Sequence, residues 1–311
     1  MKSIEQYVRT GISALEELQA ALKIAMQLEF STIPPYLCAE WSIKTDHDGV
    51  RGMIHDIVVQ EMYHFALAGN MLTAIGGAVD VANATFIPSY PTDELPGGIP
   101  QVLPVDLHPL SMDQLAVFMQ IEYPEFPPVA LGKSTGPATI GEFYDAIASG
   151  FSSLNPTFDP NAFFVDVPDA SPIRSAADAQ LAIARIKGEG EGTPGSPDQP
   201  PDDAMLLAHY YVFKQIFLGK GLIRDSSGKW AFSGPNIILP ESYNFSQSKA
   251  DAAMSAAFNQ ALTELLIGLQ ECWTAGTEPD VGAMGQLGRL GRTLIKAGIR
   301  PDFLWDSSTA R

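Results

Sequence analysis

A glutamate and a histidine three residues apart, Glu61 and His64 in QEMYHFALAGNML, open the chemical reading of this chain. Side chains at i and i+3 share a helix face, so both can reach one metal ion. Alone the pair is a weak signal, because such pairs arise on many helix surfaces. Glu29 strengthens it. It stands in an otherwise apolar stretch, MQLEFSTIPPY, and lone carboxylates are rarely buried unless paired or ligating. Glu40 follows eleven residues later on roughly the same face, as a second acid or an exposed one. His209 sits in the apolar run MLLAHYYVFKQIF, where the ordinary alternative is a core histidine bonded to a carbonyl. Leu stands at position 206, so His209 lacks the Glu three residues ahead that would complete a second E-x-x-H. Asp203, Glu189 and Glu191 are the nearby acids, and Glu191, just past an expected helix end, can reach inward in its place. Glu122 in FMQIEYPEF and Glu142 in TIGEFYDAI are two further acids on helix faces. Glu142 also has a capping-box explanation with Thr139.

Taken together, one Glu on the first helix, Glu61-x-x-His64 on the second, a Glu on a third, and a Glu with His209 later form the inventory of a carboxylate-bridged dimetal site in a helix bundle. Two adjacent divalent ions repel each other, and anionic ligands both offset that repulsion and bridge the pair. The ligand types suit iron, with manganese as the alternative. Nothing favours zinc, since the chain has neither the H-E-x-x-H of metalloproteases nor a C-x-x-C. Tyr36, Tyr63, Tyr123, Tyr144, Tyr210 and Tyr211 lie within a turn or two of these residues. Each can serve as a redox or hydrogen-bonding partner, or simply pack with its hydroxyl at the rim.

These residues need helices to bring them together. Apolar spacing predicts a long helix over 12–44, kinked at Pro34-Pro35, and a second over 50–75 stopped by Gly76-Gly77. Residues 78–109 are rich in Pro and Gly and read as a crossover loop. Shorter helices are predicted over 111–123, 139–154, 174–187 and 203–220. Loops such as 86–109 and 188–203 would form a pocket mouth or lid. A small hairpin is expected within 229–246, and two more helices over 248–275 and 281–297. No G-x-G-x-x-G follows a strand.

The chain has 311 residues, read as one elaborated domain with its core at about 12–220 and a helical extension at about 221–311. Its net charge of −17, from 19 basic and 36 acidic residues, argues against nucleic-acid or anionic-membrane partners. Two cysteines in unrelated contexts exclude a disulfide framework. The N-terminus lacks a signal-peptide core and no apolar run is long enough to span a bilayer, so the expected location is the cytoplasm.

The stretches LKIAMQLEFSTIPPYLCAEWSIK, VQEMYHFALAGNMLTAIGG, FIPSYPTDELPGGIPQVLPVDLHPLS, FMQIEYPEF, TIGEFYDAI, GEGEGTPGSP and LAHYYVFKQI carry a resemblance over about residues 15–220. Together they resemble the ferritin-like family found in iminophenylpyruvate dimer synthases of violacein and rebeccamycin biosynthesis. The resemblance implies a mainly α fold, a ferritin-like helix bundle with long Pro/Gly-rich loops. It implies metal on Glu29, Glu61, His64 and His209, with further acids from Glu122, Glu142 and Glu191. Neither imine dimerisation nor haem is carried over. The leading functional expectation is a diiron oxidase or oxygenase using O₂ on a small organic substrate in secondary metabolism, compatible with a homo-oligomer. The alternatives are an iron-binding ferroxidase without organic substrate, and a metal-free helical interaction module.

Overall fold

The computed structural model describes residues 2–124, 138–192, 197–199, 206–225, 227–246 and 251–309. A short helix, α1 (Ile4–Thr10), was not anticipated; Ser3 and Gln6 close a capping box on it. Two long helices follow, α2 (Leu15–Ser42) and α3 (Val50–Ala74). The turn between them is short, so they run antiparallel and pack along their length. Asp46 fixes the start of α3 by accepting from the backbone N–H groups of Val50 and Arg51, both at 2.9 Å.

The long helix predicted over 12–44 is continuous through Pro34 and Pro35. Pro35 has no N–H to give the carbonyl four residues back, which is that of Ser31. The Tyr90 hydroxyl supplies the missing donor to Ser31 O at 2.7 Å. Tyr90 comes from the proline-rich segment expected to be loop. That segment in fact contains an antiparallel hairpin, β1 (Thr92–Leu95) and β2 (Ile99–Val105). Gly97 and Gly98 turn it at φ +84° and +85°, a region L-residues avoid.

Next come α4 (Met112–Ile121), α5 (Ile140–Leu154) and α6 (Ala176–Glu191). Thr139 and Glu142 form the expected capping box at the start of α5. The helix α6 runs four residues beyond its predicted end, so Gly188 to Glu191 are helical rather than loop. Each of α2, α3, α6 and α5 packs on the next and α5 returns to α2, which closes a four-helix ring.

The helix α7 (His209–Leu218) begins later than predicted, at His209 itself. Asp198 and Leu207 pair as an antiparallel bridge, with Gln199 N–H on Leu206 O at 3.0 Å and Ala208 N–H on Pro197 O at 2.9 Å. Residues 206–208 are therefore extended, and Leu206 is not on a helix at all. Residues 203–205 of the predicted helix lie outside the described residues. A second hairpin, β3 (Lys220–Arg224) with β4 (Trp230–Asn236), starts earlier than expected.

The C-terminal helices α8 (Ala252–Ala275) and α9 (Val281–Lys296) pair and lie against the ring. Two glycines set how closely they approach. A Cβ on Gly69 of α3 would overlap the Trp273 ring of α8, and one on Gly291 of α9 would overlap the Trp41 ring of α2. Glu264 and Glu271 are exposed on α8, as expected for a solvated face. Among the described residues no helix is long and apolar enough to cross a membrane.

Candidate metal centre

Four elements deliver the cluster. From α2, Glu29, Thr32 and Tyr36 share one face by their 3- and 4-residue spacing. From α3 come Gln60, Glu61 and His64. Glu122 is the C-cap residue of α4, its N–H bonded to Phe118 O at 3.0 Å. His209 is the first residue of α7. Glu29, Glu61, His64, Glu122 and His209 are all buried.

Their ligand atoms fall into two groups that share a member. Glu29, Glu61 and His64 form one, and Glu61, Glu122 and His209 the other, with the atoms of each within 4.8 Å of one another. In the first, His64 Nδ1 stands 3.7 Å from Glu29 Oε2 and 3.9 Å from Glu61 Oε1. In the second, His209 Nδ1 stands 2.8 Å from Glu61 Oε1 and 3.5 Å from Glu122 Oε2. The imidazole rings stack with centroids 5.6 Å apart.

A surrounding layer repeats the same logic in both halves. The Tyr144 hydroxyl of α5 donates to Glu29 Oε1, and the Tyr36 hydroxyl donates to Glu122 Oε1 at 2.6 Å. Thr32 donates to Glu61 Oε2 at 3.0 Å. The outer nitrogen of each histidine is also held. His64 Nε2 meets Glu189 Oε2 at 2.8 Å, and His209 Nε2 meets Gln60 Oε1 at 3.0 Å. Glu189 is steadied by Arg185 Nε at 2.8 Å. Such outer partners fix the tautomer, because an N–H pointed outward leaves the inner nitrogen as a lone pair.

The electrostatics follow from that crowding. Burial pushes the Glu61 carboxyl up, the Glu122 charge adds to this, and it reaches about 7. Burial lowers a histidine, but for His209 the neighbouring Glu122 and Glu61 outweigh it and raise it to about 9. His64 is also raised well above its usual value against its burial, through Glu189 and Glu29. Glu29 is held below the usual carboxylate value, since His64 and Tyr144 overcome the effect of its burial. Tyr36 and Tyr144 rise well above a free phenol through burial beside carboxylates, so they stay protonated and act as donors.

The donor count tests whether a metal fits. His209 Nδ1 is fully buried and makes no hydrogen bond, although Glu61 Oε1 is 2.8 Å away. With Nε2–H committed to Gln60, Nδ1 meets the carboxylate oxygens either through a proton, as its raised pKa favours without metal, or through a lone pair on a cation. Acceptors face each other at such a distance only when a proton or a metal ion is shared between them. Three carboxylates and two inward nitrogens therefore fit metal cations. A cavity of about 30 Å³ touches Glu29, Thr32, Glu61, His64, Glu122 and Tyr144, room for a water molecule or two.

Glu29, Glu61, His64, Glu122 and His209 thus come together from the sequence-derived set. Glu142 does not join them: its carboxylate accepts from Thr139 N–H at 2.9 Å and serves as the cap. The side chain of Glu191 lies outside the described residues. Glu40 is buried elsewhere, with His55 Nδ1 at 3.4 Å. Sequence reasoning missed Glu189 and Gln60 as partners of the two histidines. Glu189 had a signal: Ile183, Ile186 and Glu189 continue one helix face at 3-residue steps, with Arg185 four before the acid. Gln60 carried none. Of the remaining tyrosines, Tyr123, Tyr210 and Tyr211 pack edge to face, and Tyr63 lies under the Arg185 guanidinium.

Comparison with known proteins agrees with this architecture. A family model described as Ferritin-like matches residues 22–218, a span that includes every residue of the centre. A ferritin-like protein from Caulobacter vibrioides has a similar solved structure, with a TM-score of 0.70 over 94% of this chain and 99% of that one. The two sequences are 23% identical, so the likeness speaks for the fold alone. No match is found among curated proteins.

Proposed function

This chain belongs to the Ferritin-like family, and from that premise we propose that it is a dimetal carboxylate enzyme, a diiron oxidase or oxygenase that uses O₂ on a small organic substrate. Manganese is the alternative metal. Glu29 and His64 would hold one ion, Glu122 and His209 the other, and Glu61 would serve both. The observation that carries the reading is the pair of inward-facing Nδ1 atoms, each set against carboxylates with its outer nitrogen already engaged. Bound ferrous ions would supply the electrons for O₂ reduction and so for substrate oxidation.

The chain's own residues support that task in three ways. Tyr144 and Tyr36 hold the two terminal carboxylates in place. Glu189 and Gln60 hold the rings, and Thr32 holds Glu61. Leu28, Ile121, Ile140 and Ile186 line the small cavity and exclude bulk water. The motif resemblance to the ferritin-like module of iminophenylpyruvate dimer synthases supports a place in secondary metabolism. The two free, buried cysteines, Cys38 and Cys272, suit a reducing cytoplasm.

The test loads the protein anaerobically with ferrous iron and then follows O₂ uptake with and without a small-molecule extract of the producing cells. A substrate-dependent burst is expected. Growth of a ferric mineral at an uptake rate indifferent to the extract would favour an iron store, and failure to bind iron would remove the reading altogether.

A further inference from the structure

Behind His209, on the outer side of α3, lies a second and much larger cavity. It measures about 850 Å³, against about 30 Å³ at the metal centre. That is within the range of sites that enclose a small organic molecule. Met53 and Gln60 of α3, Leu206, and Ile223 and Trp230 of the β3–β4 hairpin line it. Leu206 is 46% exposed and Ile223 41%, so among the described residues nothing fully covers this apolar surface.

The polar groups of the groove narrow the chemistry of what fits. Arg224 lies in its wall but is engaged twice, by Asp198 at 2.6 Å and by the Trp230 ring with its guanidinium carbon 4.8 Å from the centroid. An anion therefore gains little there and meets a chain of net charge −17. Gln215 accepts from Leu222 N–H at 3.3 Å through Oε1, while among the described residues its Nε2 meets the Met53 sulfur alone, at 3.8 Å. A thioether is a weak acceptor, so this amide N–H is available to a better one. Trp230 and Met53 offer polarisable surfaces suited to a flat ring. Gln60 and Gln199 close the end nearest the metal centre as a reciprocal amide pair, at 3.1 and 3.3 Å.

We propose that this groove binds a non-anionic, mainly apolar aromatic molecule bearing a carbonyl or ether oxygen. The oxygen accepts from Gln215 Nε2, and the ring lies among Trp230, Met53, Leu206 and Ile223. Gln60 lines the groove and holds His209 Nε2, so the bound molecule sits one side-chain amide from the candidate centre. The site goes beyond the metal reading and does not depend on it.

The test titrates N-phenyl-1-naphthylamine, an uncharged aromatic probe, into the full chain without added metal. Saturable binding at one site per chain is expected, with energy transfer from tryptophan to the probe. Leu206→Asp and, separately, Ile223→Asp should each weaken binding by about tenfold or more, which is about 1.4 kcal/mol or more. Both positions are surface positions, and thermal melting verifies that each variant is folded. Trp230→Phe should retain binding and lose most of the energy transfer. An excess of an uncharged aromatic ketone such as benzophenone should displace the probe from the wild type, and less effectively from Gln215→Leu. Glu61→Ala should bind the probe as the wild type does, so loss of metal and loss of the groove are read separately. Non-saturable binding to the wild type would overturn the proposal, as would unchanged affinity in both aspartate variants. A doubled mass that both aspartate variants abolish would also overturn it, because a second copy of the chain would then cover the groove.

Discussion

The helix α3 carries two buried polar arrangements nine residues apart, and they are wired in opposite ways. At Asn70 every polar atom has its complement. Nδ2 donates to Val165 O at 2.8 Å, while Oδ1 accepts from Val165 N–H at 2.9 Å and from Trp273 Nε1 at 2.8 Å. At Glu61 and His64 the count does not close. Three carboxylates face two inward imidazole nitrogens, and beyond the protons those imidazoles can hold, only the hydroxyls of Thr32, Tyr36 and Tyr144 are seen to serve the carboxylates. A buried network that only holds a fold together balances its donors and acceptors. An excess of buried acceptors is instead a standing demand for cations. The first arrangement ties the C-terminal helices to the ring; the second waits for something the chain does not itself contain.

The comparison breaks most sharply at Glu61. Glu61→Ala removes the group common to both ligand sets, and we expect loss of both ions, measured as metal per chain after iron loading and desalting. Retention of one full equivalent would show that the halves are independent. Asn70→Ala should do the reverse. It leaves the Val165 backbone and Trp273 Nε1 unpaired in the core, at a cost of about 2–4 kcal/mol in denaturant unfolding, with metal content unchanged.

The pH dependence of the metal-free protein should expose the acceptor excess directly. His209 is raised to about 9, so its stabilising contribution is fully present below the unfolded value of about 6.5. It is lost as pH rises through about 9. Glu61, raised to about 7, acts in the same direction at lower pH. Metal-free protein should therefore melt several degrees lower at pH 9 than at pH 6.5, and metal-loaded protein should lose most of that slope. A flat profile in the metal-free protein would contradict the arrangement.

Smaller effects sharpen the assignment. Tyr144→Phe removes the donor on Glu29, and metal affinity should fall about tenfold while the fold is kept, as read by competition with a chelator. Glu142→Ala should cost about 1 kcal/mol or less through the α5 cap and leave metal binding unchanged. Loss of an ion in that variant would return Glu142 to the ligand set.

How much of this was visible in the sequence depends on where each residue sits in its element. Glu61 and His64 lie in the middle of a long amphipathic helix, where the 3.6-residue period states which side chains share a face. Glu29 stood out as a lone charge in an apolar run. Glu122 and His209 lie at helix ends, one as the last turn of α4 releases and one as α7 begins. Spacing says little there, because cap geometry and the 198–207 bridge decide the direction of each side chain. The apparent defect at Leu206 came from reading a helix through a segment that tertiary pairing holds extended. Glu189 was read only as a nearby acid and not as the partner of His64, because two glycines in GEGE argue locally against helix, each by about 1 kcal/mol relative to alanine. The contacts of Glu189 with His64 and Arg185 lie beyond that local view. The hairpin in 92–105 was hidden by prolines and a bulge, which break the alternation that marks a strand.

The most direct test of the central claim is anomalous scattering from a crystal of the iron-loaded protein, with data collected on both sides of the iron absorption edge. Two iron peaks are expected, one beside His64 Nδ1 and one beside His209 Nδ1, with Glu61 between them. A single peak, peaks away from these residues, or none in protein shown to contain iron would contradict it.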